Sequence, residues 1–269
     1  MNDLLNLLKP KERRGSKPRC HFLTHGPAEE IAKRLTALIA QFGHVSASDR
    51  WMPQGFVQRQ EAQLHKASRL LDSDTRARLA AWWLPASRDD LRTPNFDIAS
   101  TCTICGVPGL LLVEAKAHYG ELENEAGGRK LPAASSYDRK ASHKTIFAAI
   151  EDARAGLEGA TSLSWRISRD CCYQMSNRFA WAWKLTELGK PVILVYLGFL
   201  RAEDMCKPGE VRFAGDAEWD ALVRSHSEPL FPAEVWNRKW TPNGQAFIPL
   251  IRTIEQPIEA SPRAGQLSS

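Results

Sequence analysis

Three side chains in the stretch from Asn95 to His118, NFDIASTCTICGVPGLLLVEAKAH, have the types and the spacing to do chemistry. Asp97 opens one apolar, strand-like run, and Glu114 and Lys116 close the next one, LLLVEAK. In an extended chain residues two apart share a face, so Glu114 and Lys116 project together and His118 can follow them. If the two runs pair as neighbours, Asp97 comes to lie beside Glu114. The two carboxylates and the backbone carbonyl of Ala115 would then offer oxygen ligands to a hard cation, Mg²⁺ or Mn²⁺ in its place. Such an ion lowers the pKa of its water and offsets the repulsion between carboxylates and a phosphodiester. Lys116 would orient the water or stabilise charge developing on the phosphate. The plain alternative is two ordinary strands with charged ends.

The surrounding pattern supplies elements able to hold such a site. Ile31, Leu35, Leu38, Ile39 and Phe42 recur at helical spacing and the run stops at Gly43, which predicts a helix over Glu29–Phe42. A second helical region is expected from Val57 through QRQEAQLHKASRLL. Asp72 or Asp74 should cap a third, DTRARLAAWWL, stopped by Pro85. FDIASTCTI and GLLLVEAKA read as strands joined by a turn at Gly106-Val107-Pro108-Gly109. A polar loop, Glu121–Ser142, follows, then helices at His143–Leu157 and Tyr173–Leu188. KPVILVYLGFL is continuously apolar and β-branched, as a strand buried on both faces should be. A helix is expected around Ala217–Arg224, and the Trp- and Pro-rich stretch FPAEVWNRKWTPNG comes after it. The order predicts an α/β protein: a small mixed sheet with helices on both faces.

Asp97 followed by Glu114-Ala115-Lys116, with TPNFD around the aspartate and four apolar residues before the glutamate, resembles the PD-(D/E)xK nuclease superfamily, the restriction-endonuclease-like proteins. The resemblance covers roughly residues 58–200. It implies a restriction-endonuclease-like core with Asp97 and Glu114 as metal ligands, Ala115 lending its carbonyl, and Lys116 as the catalytic lysine. Cleavage of DNA by a Mg²⁺-activated water is the implied activity. Members of the superfamily often add a glutamate from an upstream helix, and Glu61 is the candidate here. Pro94 stands three residues before Asp97 rather than immediately before it. Tyr173 and Gln174 are adjacent, unlike the spaced Gln and Tyr of one subgroup.

Around this centre, Gln174, Asn177 and Arg178 begin an otherwise apolar helix, where they either contact DNA phosphates or form an ordinary polar helix start. His118, Tyr119 and Lys144 lie near the expected cleft mouth, where His118 could ligate a metal or contact phosphate but reads more readily as solvated, and His143 reads equally as a helix-cap residue or a functional one. The tryptophans sit at helical positions suited to core packing rather than base stacking. Six cysteines include the pair Cys102 and Cys105 and the adjacent Cys171 and Cys172. Strand geometry turns the first pair to opposite faces and adjacent cysteines diverge, so reduced thiols account for them better than zinc.

The 269 residues carry a formal charge of +5, which permits a polyanionic partner without demanding one. A basic N-terminal set, Lys9, Lys11, Arg13, Arg14, Lys17 and Arg19, either grips a nucleic-acid backbone or is a solvated tail. The longest apolar run, at 191–200, falls short of the roughly 18–20 residues that span a bilayer, and no secretory leader is evident. A cytoplasmic protein is expected. The segments read as a basic arm and helix over 1–56, a nuclease-like core over 57–205, a helical Trp-rich extension of the same domain over 206–258, and a disordered tail over 259–269. A homodimer is left open. Two rival readings stand beside the nuclease: a non-catalytic nucleic-acid-binding protein of the same fold, and a globular interaction protein without a metal site.

Overall fold

In the computed structural model, residues 3–84, 93–205 and 212–258 are described. In chain order the elements are α1 (Ser16–Leu23), α2 (Ala28–Ile39), β1 (Gly43–His44), β2 (Trp51–Met52), β3 (Ala62–Gln63), α3 (Ser73–Trp83), β4 (Asn95–Phe96), β5 (Ile98–Ile104), β6 (Val107–Lys116), α4 (Tyr119–Glu123), α5 (Tyr137–Thr161), α6 (Tyr173–Glu187), β7 (Val192–Leu200), α7 (Asp216–Ser227) and β8 (Phe247–Glu255). One mixed sheet has the order β1-β5-β6-β7-β8, with β2 also paired to β5. The β5–β6 ladder is antiparallel, whereas β6–β7 and β7–β8 are parallel. A separate two-stranded sheet joins β3 to β4.

The hairpin turns on two residues, since Ile104 pairs directly with Val107. Cys105 and Gly106 both take positive φ, 49° and 87°, the backbone that matches the right-handed twist of two adjoining strands. The turn is therefore tighter than the four-residue one expected, and Pro108 lies within β6, paired to Thr103.

Side-chain alternation divides the core into two layers. Leu111, Val113 and Ala115 of β6, with Ala117 just after it, pack with Ile193, Val195 and Leu197 of β7 against α1 and α2, which contribute Cys20, Leu23, Leu35 and Ile39. Leu110 and Leu112 face the other way with Leu194 and Tyr196, against α3, α5, α6 and α7. Helices thus cover both faces of a mixed sheet. β7 is buried along nearly its whole length, as a strand with neighbours on four sides must be. Trp83, Trp165, Trp181 and Trp219 are among the largest fully buried side chains, in keeping with core packing.

Several elements differ from expectation. The segment after Val57 is not a helix: Ala62 and Leu64 are buried while Gln63 and His65 are only partly so, a period of two that pairs Ala62 with Phe96 and Gln63 with Asn95. The N-terminal segment is no loose arm, because α1 reaches to Leu23 and Arg19, 2% exposed, is ion-paired with Asp204. α5 begins at Tyr137, capped by the Ser136 hydroxyl, so the polar loop is shorter than expected. β8 was not anticipated. It is the last strand of the sheet, and it tolerates Pro249 because that residue's missing N–H lies on the side away from β7, where its carbonyl accepts from the Asn237 amide at 2.8 Å. α3 is capped as expected, Asp72 accepting from the Thr75 amide. Pro85, Cys206 and the tail over 259–269 lie outside the described residues. Among the described residues no helix is long and apolar enough to cross a membrane.

Candidate active site

Asp97 stands at the bend between β4 and β5, and Glu114 and Lys116 at the end of β6. Because β6 carries its even-numbered residues toward α6, the alternation that buries Leu110 and Leu112 also drives Glu114 and Lys116 into the interior. They are 1% and 5% exposed. The amide of Ala115 donates to Asp97 Oδ2 at 2.8 Å, which fixes the aspartate beside the backbone that carries Glu114. The three expected catalytic residues are thus brought together.

Glu114 is saturated by donors. Its Oε1 accepts from Lys116 Nζ at 2.6 Å and from Gln174 Nε2 at 2.5 Å, and its Oε2 accepts from Arg178 Nε at 2.6 Å. Arg178 also donates to Asn177 Oδ1 at 2.6 Å and lies 4.9 Å over the Phe96 ring. The polar start of α6 therefore turns inward onto the glutamate. Arg178, 5% exposed, is committed to the site's carboxylate rather than offered to a surface ligand.

Glu61 is on no helix. It directly precedes β3, and continuing the Ala62–Phe96 register by one residue sets it across from Asp97. Its Oε2 accepts from Asn95 Nδ2 at 2.9 Å and its Oε1 is 3.4 Å from Lys17 Nζ. His118 caps α4 by accepting from the Gly120 amide at 3.1 Å, and Tyr119 donates to Glu218 at 2.5 Å. The His143 ring is hydrogen-bonded to the Arg129 carbonyl and to Arg169.

Glu125 belongs to the site without having been expected there. It is 2% exposed, with Oε1 2.6 Å from Lys116 Nζ and Oε2 3.6 Å from His226 Nε2. It comes from ELENEAGG, where nothing in the spacing separates it from Glu121 and Glu123.

The electrostatics follow from these contacts. Burial pushes Glu114 up, but Arg178 and Lys116 outweigh it and hold the carboxyl below its ordinary range. Burial works against the charge of Lys116 as well, yet Glu114, Glu125 and Asp97 raise it above the ordinary lysine value. Burial brings Glu125 up to about 7 against the pull of Lys116, and burial with Lys116 takes His226 down to about 4. Lys116 and Arg178 are ion-paired with Glu114, and Lys116 with Glu125, whereas Asp97 forms no ion pair among the described residues. Burial, with the Glu114 charge added, holds Asp97 well above the ordinary aspartate value.

These residues suit a hard cation in kind. Asp97 has a carboxyl oxygen, Oδ1, that accepts no hydrogen bond from the described residues, and the Ala115 carbonyl and Glu114 are adjacent in the chain. Among the described residues no three His, Cys, Asp or Glu side chains are arranged to hold a metal ion. Mg²⁺ commonly uses one or two carboxylates and keeps several waters, so a two-carboxylate set is of the right order. Binding at Glu114 would require Gln174 or Arg178 to yield an oxygen. Among the described residues the cysteines form no metal site: Cys20 and Cys102 are buried, Cys105 is exposed, and the sulfurs of Cys171 and Cys172 lie 3.7 Å apart with both thiols free.

No known protein family, curated protein or solved structure matches the chain.

Proposed function

We propose that this protein is a Mg²⁺-dependent nuclease of restriction-endonuclease-like fold that hydrolyses DNA phosphodiester bonds. One observation carries the reading: Asp97, in no ion pair among the described residues, accepts at 2.8 Å from the amide of Ala115, on the strand whose Glu114 and Lys116 point into the same cluster. Asp97 and Glu114, with the carbonyl of Ala115, would hold the ion, and Glu61 would stand across from Asp97. When bound, Mg²⁺ supplies Lewis acidity and a more acidic water. Lys116 keeps its proton, so its role is to donate, holding a water or stabilising the charge that develops on the phosphate, and it is not a general base. Its ammonium donates to Glu114 and is ion-paired with Glu125. Gln174 and Arg178 position Glu114. Arg178 and Lys116 also keep that carboxylate ionised at neutral pH.

The reading is tested by cleavage of supercoiled plasmid and single-stranded DNA with Mg²⁺, comparing wild type with Asp97→Ala and Lys116→Ala. Loss of cleavage in both variants is expected. Equal activity in all three would place the reaction elsewhere. The second reading, a nucleic-acid-binding protein that keeps the fold without catalysis, is favoured by the full complement of donors on Glu114. DNA binding that survives in wild type without any Mg²⁺-dependent cleavage would establish it.

A further inference from the structure

A second cleft, of about 410 Å³, lies where the N-terminal segment crosses α1. Its walls carry Lys9, Lys17 and Arg59 against one carboxylate, Glu12. Lys17 Nζ is 3.1 Å from Glu12 and 3.4 Å from Glu61, and Arg59 donates to the Leu7 carbonyl. Even with those contacts the lining keeps an excess of positive charge. The floor is His21, 1% exposed, and neither of its ring nitrogens has a hydrogen-bond partner. A buried imidazole with both nitrogens unpaired gives up its hydration with nothing to offset the loss, and such groups commonly mark the place of a water or an ion.

We infer that the cleft formed by Lys9, Lys17, Arg59 and His21 is a phosphate subsite, which takes a phosphate of the nucleic-acid strand that enters the site at Asp97. Three cations around one imidazole match a tetrahedral anion with several acceptor oxygens: arginine gives a planar fork, lysine a point charge, and the imidazole an N–H. Lys17 ties the two places together, because the ammonium that lines the cleft also pairs with Glu61, opposite Asp97. Burial, with Lys17 nearby, takes His21 down to about 4, so the empty cleft holds a neutral ring and an arriving anion favours its protonation. Assigning the phosphate to a nucleic-acid strand rests on the nuclease reading; anion binding in the cleft does not.

The experiment titrates wild type and the double variant Lys9→Gln/Arg59→Gln with inorganic phosphate in EDTA. Calorimetry and the His21 imidazole resonances are the readouts, and near-UV circular dichroism checks the fold. Phosphate should shift the His21 resonances in wild type, and affinity should fall about tenfold or more in the double variant. Equal affinity in the two proteins, or no binding by wild type, overturns the subsite. A second arm, also in EDTA, measures binding of one 3′-labelled oligonucleotide with a 5′-phosphate or a 5′-hydroxyl. A preference for the 5′-phosphate that the double variant loses puts a terminal phosphate in the cleft. Equal weakening of both oligonucleotides, with a shallower salt dependence, puts a backbone phosphate there. Unchanged affinity for both overturns the assignment to a strand. Phosphate binding in a protein that cleaves no DNA with Mg²⁺ upholds the subsite and removes only the nuclease reading.

Discussion

The two faces of β6 differ in kind. Toward α1 and α2 the strand presents Leu111, Val113 and Ala115, with Ala117 just after it, all packed among apolar neighbours. Toward α6 it presents Leu110 and Leu112, then Glu114 and Lys116, held by Arg178, Gln174 and Glu125. Both faces are buried and both follow from the same period of two. Hydrophobic packing accounts for the first face completely. On the second, two residues bring charge into a place where charge is costly, and their partners hold them in one geometry. The proposed chemistry belongs to the second face, and the contrast can be broken in several ways.

The largest effect should be on activity. Asp97→Ala or Lys116→Ala should lower Mg²⁺-dependent cleavage by about 10²-fold or more, the scale of losing one preorganised electrostatic group. Leu111→Val, on the opposite face of the same strand, should leave cleavage within about twofold of wild type, because it touches no group of the cluster. A comparable loss in Leu111→Val would mean that general loosening of β6, rather than chemistry at the polar face, sets the rate.

Next comes stability, measured by urea denaturation. Glu114→Ala strands Lys116 and Arg178 without their shared carboxylate and should cost about 3–5 kcal/mol. Leu111→Ala should cost a similar amount, about 2–5 kcal/mol, through a cavity. The mechanisms separate in combination: replacing Glu114, Lys116, Arg178 and Glu125 together by apolar residues should recover most of the loss, since buried ion pairs often do no better than packed hydrocarbon. No multiple replacement of that kind would restore the leucine's volume. If the fourfold variant is less stable than Glu114→Ala, the cluster stabilises the fold in its own right.

How much of this could be read from sequence depends on whether a residue's role is local or set by distant partners. The β5–β6 hairpin, α2, α6 and β7 announce themselves by periodicity, and the convergence of Asp97, Glu114 and Lys116 follows once neighbouring strands pair. Ala62 and Leu64 misled because a short alternation inside QRQEAQLHKA also fits a helix, and only the Phe96 partner decides between the two. β8 was hidden by Pro249, whose cost vanishes at a sheet edge. Glu125 had no signal at all: its burial depends on partners outside its own segment, Lys116 and the distant His226.

A smaller effect is expected with pH. Each layer holds one buried histidine with a depressed pKa, His21 under α1's face and His226 on α7, each near 4 and each chiefly through burial. A depressed histidine favours the fold above its ordinary pKa, and that contribution is lost as pH falls from about 6.5 toward 4, where only the unfolded chain takes the proton readily. Glu125, raised to about 7, works in the opposite sense and costs stability as pH rises from about 4.5 toward 7. Denaturation midpoints should therefore fall on the acid side. The fall should be shallower in His21→Phe, while the opposing Glu125 contribution is kept.

The smallest effect should come from the hairpin tip, which serves both faces equally. Cys105 holds φ at 49° ahead of Gly106, a left-handed backbone that costs most residues about 1 kcal/mol and asparagine less. Its side chain is exposed, so packing does not offset that strain. Cys105→Asn should stabilise the protein by about 0.5 kcal/mol, seen as a higher urea midpoint at unchanged slope, with cleavage unaltered. The register from Ile98–Val113 to Ile104–Val107 is set by this turn, and that register decides which face receives Glu114. An insertion that lengthens the turn by one residue and shifts the register should therefore do what no point change on either face does. It would offer the leucine face to α6 and the charged one to α2, and the fold should be lost rather than the activity alone.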